Sequence, residues 1–154
     1  MKLHPDWNEF FDLLEHHGVR FLVVGGFAVA AHGHPRYTAD IDIFIARDPR
    51  NAARVAKAVR DFGFASVTGH QFEVPYAVLF LGQKPFRIDI LNTISGVAFD
   101  AAWKRRIRVK LGARNLPIIA REHLVKNKRA SGRAKDIADL EALRRIRPAN
   151  RRRR

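Results

Sequence analysis

The chain has 154 residues, 47% of them hydrophobic and 10% aromatic: enough for one domain with a real core, too few for two ordinary ones, and too apolar for a disordered chain. No window approaches the roughly 18 uninterrupted apolar residues of a membrane helix, and the lack of cysteine removes disulfides, thiolate catalysis and cysteine-held zinc or iron–sulfur, so that any metal here is a hard one on oxygen ligands. The net charge of +14 is uneven, since residues 101–154 hold 19 of the 29 Lys and Arg but only 4 of the 15 Asp and Glu, which suits a polyanionic partner or else a solvated basic surface.

The N-terminal MKLHPDWNEFFDLLEHHG has neither an apolar h-region nor a small-residue cleavage site, so a cytoplasmic location is expected. Phe10, Phe11, Leu13 and Leu14 at helical spacing, with Pro5 and Asp6 at the start and Gly18 at the end, predict a helix over 6–17. Arg20 to Val24 reads as a strand, Gly25-Gly26 as a turn, and Phe27 to His32 as a small-residue helix. Asp40 to Ala46 alternates as a strand, Arg50 to Phe62 is an amphipathic helix, and Phe72 to Leu81 and Phe86 to Leu91 are further strands. Residues 97–105 suggest a helix and 107–119 one more strand or extended stretch. Two helices close the chain, over about 121–130 and 133–146, the second with Ile137, Leu140 and Leu143 on one side and Pro148 as its stop. The expected fold is α/β (α+β): a twisted mixed sheet flanked by helices, one domain over 1–148, with the C-terminal helices closing a cleft and a basic, disordered tail at 149–154.

Asp40 and Asp42 stand at i and i+2, so on a strand both carboxylates leave one face while Ile41, Ile43 and Ile45 leave the other. Like charges so close repel, and apolar neighbours raise the cost of ionisation, so the pair makes sense when a divalent cation neutralises it, or else as solvated acids on an edge strand or turn. Asp89, among β-branched residues in Arg87-Ile88-Asp89-Ile90-Leu91, is a third acid where a core strand favours none. If its strand lies beside the first, three carboxylates can hold two Mg²⁺ ions, or Mn²⁺, and Asp89 is placed to take a proton.

Gly25-Gly26 follows a strand and opens a helix, aiming backbone N–H groups at an anion such as a triphosphate, or simply making a tight turn. It matches neither the dinucleotide fingerprint nor a P-loop. Arg36 and Thr38 flank the acidic strand, where Arg36 can reach a phosphate and Thr38 a water or the backbone, or both can stabilise the loop. The histidines lack zinc-motif spacing, and Ser66, Ser95 and Ser131 belong to no hydrolase arrangement.

In this order Gly25-Gly26, then Arg36-Tyr37-Thr38-Ala39-Asp40-Ile41-Asp42, then Arg87-Ile88-Asp89 resembles the nucleotidyltransferase superfamily that includes DNA polymerase β, and within it the small bacterial members related to AbiEii-type toxins. The run from Leu124 to Asp136, LVKNKRASGRAKD, resembles the C-terminal Lys…Gly-Arg-x-Lys-Asp signature of these enzymes. The resemblance implies Asp40, Asp42 and Asp89 as the catalytic, metal-binding acids, Gly25 and Gly26 at the triphosphate, Lys128 and Arg133 across the cleft on triphosphate or acceptor, and Asp136 bracing the helices that present them. The expected reaction moves a nucleoside monophosphate from an NTP to an acceptor hydroxyl and releases pyrophosphate. The basic third favours RNA, such as a tRNA end, as acceptor, and the likeness to toxins implies a cognate antitoxin or toxin partner. A protein or small-molecule acceptor, a nucleotide- or RNA-binding module that has lost turnover, and a structural partner in a complex remain the alternatives.

Overall fold

The computed structural model describes residues 2–146, so Pro148 and the 149–154 tail lie outside the described residues. The elements are α1 (Pro5–His16), β1 (Phe21–Val24), α2 (Gly25–Ala31), β2 (Asp40–Ile45), α3 (Pro49–Asp61), β3 (Val78–Leu81), β4 (Arg87–Leu91), α4 (Phe99–Lys104), β5 (Ile107–Leu111), β6 (Arg114–Ile118), α5 (Arg121–Ser131) and α6 (Ala134–Arg145). They build a mixed α/β fold around a six-stranded sheet in the order β3-β4-β2-β1-β6-β5. β2 pairs parallel with β4 and antiparallel with β1, while β1 pairs parallel with β6.

The alternation read in β2 is real: Ile41, Ile43 and Ile45 are fully buried, whereas Asp40 and Asp42 on the opposite face are half-buried. The apolar stripe of α1, with Trp7, Phe10, Phe11 and Leu14 buried, packs on α3, and Phe10 meets Phe62 edge-on with ring centroids 5.1 Å apart. Asp48 caps α3 by accepting from the backbone N–H of Asn51, ahead of a Pro at its first turn. Among the described residues, no helix is long and apolar enough to cross a membrane.

Three sequence expectations change. Phe72 to Leu81 is not one strand: Gln71 closes a capping box on Thr68, a 3₁₀ turn takes Gly69–Phe72, and only Val78–Leu81 pairs. The Asn92 side chain explains why, since it donates to the carbonyls of Phe72 and Val74 and accepts from the N–H of Ala77, replacing the ladder there. The 107–119 stretch is a hairpin, β5 and β6, turned at Gly112 with φ +64°. Arg114 ties that hairpin to α1 through Asp12 and Glu15. The expected glycine turn falls on Gly25, whose φ of +68° takes the chain from β1 straight into α2. On α6, Leu143 is buried as expected and Leu140 partly so, but Ile137 is 56% exposed and the buried face is completed by Asp136 and Asp139; paired charges take part of the place that an apolar stripe was expected to hold.

Candidate active site

Parallel pairing of β2 with β4 sets Asp42 directly opposite Asp89 and Asp40 opposite Arg87. Residues opposite one another share a face, so the three carboxylates meet, each offering a ligand oxygen within 4.8 Å of the others. They floor a cleft of about 460 Å³, walled on one side by Val78 and Phe80 of β3 and on the other by Arg133 and Lys135 at the start of α6. A cluster of three hard oxygen donors, two of them on facing strand positions, fits a divalent cation.

The electrostatics agree with that fit. Burial, then the charges of Asp40 and Asp89, push the Asp42 carboxyl up to about 7, only partly relieved by Lys135 and Lys128. A group whose folded pKa lies above its unfolded 3.8 keeps a proton that the unfolded chain has lost, so its contribution to stability falls as pH rises from about 4 to about 7. Asp42→Asn is therefore expected to raise the melting temperature in chelator by several degrees at pH 8 and little at pH 4, and added Mg²⁺ to stabilise the wild type more at pH 8 than at pH 5. Melting curves at these pH values check both.

Gly25 explains itself here. Its φ is +68°, and a Cβ at this position would lie 2.1 Å from Oδ2 of Asp42. Gly25→Ala is expected to cost at least about 1 kcal/mol from the backbone alone and, by displacing the carboxylate, to lower activity far more than stability. Gly82→Ala, also at positive φ but with nothing within 4 Å, is the control that carries only the backbone cost. Thermal melts beside activity measurements separate the two effects. A Cβ on Gly26 would come within 3.2 Å of both Arg36 and Thr38, so the second glycine lets α2 approach the loop that leads into β2.

The remaining residues predicted for the site have partners inside the protein. Thr38 donates its hydroxyl hydrogen bond to the carbonyl of Asp40 at 2.9 Å. Arg36 forks onto Asp139, with Nε and Nη2 at 2.9 and 3.0 Å. Lys128 is buried at 3% exposure, its ammonium 3.1 Å from Asp136 and 2.9 Å from Asp139. Arg133 donates to Asp136 through Nε at 2.8 Å and Nη2 at 3.3 Å, while its side chain stays largely exposed at the cleft. Burial works against a charge on Asp136, yet the side-chain bonds from Arg133, Ser131 and Lys128 outweigh it and hold the carboxyl well below the usual range. Five alternating charges, Arg36, Asp139, Lys128, Asp136 and Arg133, thus lock the loop before β2 to α5 and α6.

Sequence reasoning missed Asp139 and three cations that line the cleft: Arg87, Lys135 and Lys84, whose ammonium lies 3.9 Å from Oδ2 of Asp40. Asp139 follows Asp136 by three residues, the spacing that puts both on one helix face. Arg87 precedes Asp89 by two, which puts it on the same strand face.

The model of a family described as "Nucleotidyl transferase of unknown function (DUF2204)" matches residues 4–153. Among solved structures, a candidate nucleotidyltransferase from Thermotoga maritima is 17% identical, with a TM-score of 0.54 and 93% of each chain covered. The lincosamide antibiotic adenylyltransferase LnuA, solved with lincomycin bound, is also 17% identical with a TM-score of 0.54, covering 96% of this chain and all of that one. At such identity the two structures share the fold. No curated protein matches the sequence.

Proposed function

The chain belongs to this family of nucleotidyl transferases, and from that premise we propose that it transfers a nucleoside monophosphate from an NTP to a hydroxyl at the end of an RNA such as tRNA. The observation that carries the reading is the meeting of Asp40, Asp42 and Asp89. These acids would hold divalent cations, Mg²⁺ by the hardness of the donor set, and such ions when bound supply neutralising charge for the triphosphate and acidity for the attacking hydroxyl.

The chain's own groups divide the remaining work. Asp89 takes the proton as the acceptor oxygen bonds to the α-phosphorus and the bond to the bridging oxygen of the β-phosphate breaks. Arg133 and Lys135, at the rim of the cleft, oppose the charge that grows on departing pyrophosphate. Gly25, which lines the cleft, leaves the backbone bare where the triphosphate lies, and Gly26 behind it lets α2 pack against Arg36 and Thr38. Arg36 and Lys128, held by Asp139 and Asp136, keep the two walls in place.

RNA is favoured as acceptor by the net charge of +14 and its concentration in the last third of the chain. A small-molecule acceptor is the second reading, favoured by the shared fold with an enzyme solved with lincomycin bound. The test incubates the protein with each α-³²P-labelled NTP, Mg²⁺ and total cellular RNA or protein. RNase-sensitive label whose yield falls steeply with salt is expected. Label on protein contradicts the RNA acceptor, and label that appears only when a small hydroxylated compound is added replaces it with the second reading.

A further inference from the structure

Arg87 makes closer contact with the acids than any role so far requires. Its guanidinium forks onto Asp89, with Nε at 2.6 Å and Nη2 at 2.9 Å from the two carboxylate oxygens, and Nη2 also reaches Oδ2 of Asp40 at 3.4 Å. From the other side the ring of Phe80, whose backbone pairs with Asp89, lies 3.9 Å below the guanidinium carbon. The side chain is only 22% exposed. This is a seated ion pair rather than a solvated surface arginine.

Arg87 engages oxygens of Asp89 and Asp40 that a divalent cation would use. A carboxylate has lone pairs enough for both partners, but a guanidinium and a divalent cation on the same two acids repel one another, so the arrival of one favours the departure of the other. Once released, the guanidinium stays in the cleft, tethered by β4 and flanked by the Phe80 ring, and a cation in that position is satisfied by an anion. A nucleoside triphosphate carrying its own metal brings both partners of the exchange at once.

We propose that Arg87 is an exchangeable counter-ion, which occupies Asp89 and Asp40 in the metal-free protein and turns to a phosphate oxygen when the nucleotide enters, so that the site selects the metal–nucleotide complex over the free metal. The inference rests on the carboxylates binding metal and the cleft binding NTP, as set out above. It assigns Arg87 a binding role that follows from its own contacts.

Mn²⁺ binding to the whole chain, read from the free-ion paramagnetic resonance signal with and without a non-hydrolysable triphosphate analogue and after subtracting the Mn²⁺ that the analogue holds by itself, tests it without any turnover. For the wild type, weak binding of Mn²⁺ alone and much tighter binding with the analogue are expected. Arg87→Gln should bind Mn²⁺ alone about tenfold more tightly, as removal of a cation this close to carboxylates implies, while the gain from the analogue shrinks. Arg87→Lys, a point charge without the fork, should fall between, and circular dichroism confirms that both variants are folded. Arg87→Gln binding Mn²⁺ no more tightly than the wild type, or an unchanged gain from the analogue, overturns the exchange while leaving the metal site standing. Absence of Mn²⁺ binding in the wild type even with the analogue overturns the metal site and the exchange together.

Discussion

Asp42→Asn is expected to abolish nucleotide transfer, by at least about a thousandfold or about 4 kcal/mol of transition-state stabilisation, while the protein remains folded. Asp42 is the middle acid of the three: it stands opposite Asp89 across the β2–β4 pairing, two residues from Asp40, and against the bare backbone of Gly25. Asparagine keeps the shape and removes the charge, so packing around Gly25 survives and a cation loses the ligand that links the two strands. The variant should also melt higher than the wild type at pH 8 without metal, because burial and two neighbouring carboxylates disfavour the charged form of Asp42. Initial rates of label incorporation beside melting curves read both quantities. Activity within about tenfold of wild type, in a folded variant, would show that the chemistry does not run through this carboxylate.

Lys128→Met should be the most destabilising single change in the C-terminal helices, costing about 3–5 kcal/mol. Lys128 sits between Asp136, fully buried, and Asp139, at 3% exposure. Methionine fills much of the volume but leaves two buried carboxylates facing each other, with only Arg133 and Arg36 to offset them. Urea unfolding of the variant measures the loss. Neutralising one acid as well, in Lys128→Met/Asp139→Asn, should recover part of it, since a buried pair replaced at both ends costs less than one broken at one end. A loss below about 1 kcal/mol for the single variant would mean that the network is loose and does not brace α6 against the loop before β2.

The sequence displayed the acids plainly because strand alternation is a local property: once Asp40 to Ile45 is a strand, Asp40 and Asp42 must share a face whatever surrounds them. That Asp89 joins them depends on β4 lying beside β2, which no local pattern encodes; the motif order suggested it, and the parallel register supplies it. Alternation places Arg87 on the acidic face beside Asp89 but does not say that its fork closes on the carboxylates. The sequence puts Lys128 across the cleft only by resemblance, and leaves Arg36 between a phosphate contact and loop stabilisation, for the same reason. Their partners, Asp136 and Asp139, lie 8 and 103 residues away respectively, and a helix that buries two aspartates in place of Ile137 runs against hydrophobic periodicity. The loss of half of the 72–81 strand turned on one side chain, Asn92, satisfying backbone groups that a ladder would otherwise have paired.

The proposed reaction moves the α-phosphoryl nucleoside unit, with Asp40, Asp42 and Asp89 as the acids that carry it. The most direct measurement supplies the protein with Mg²⁺, its acceptor mixture and the same NTP labelled in parallel at the α- or the γ-phosphate. Label passing to acceptor from the α position alone, and lost with Asp42→Asn, is the predicted result. Transfer of label from the γ position, or α-label transfer undiminished in the Asp42→Asn protein, would contradict it.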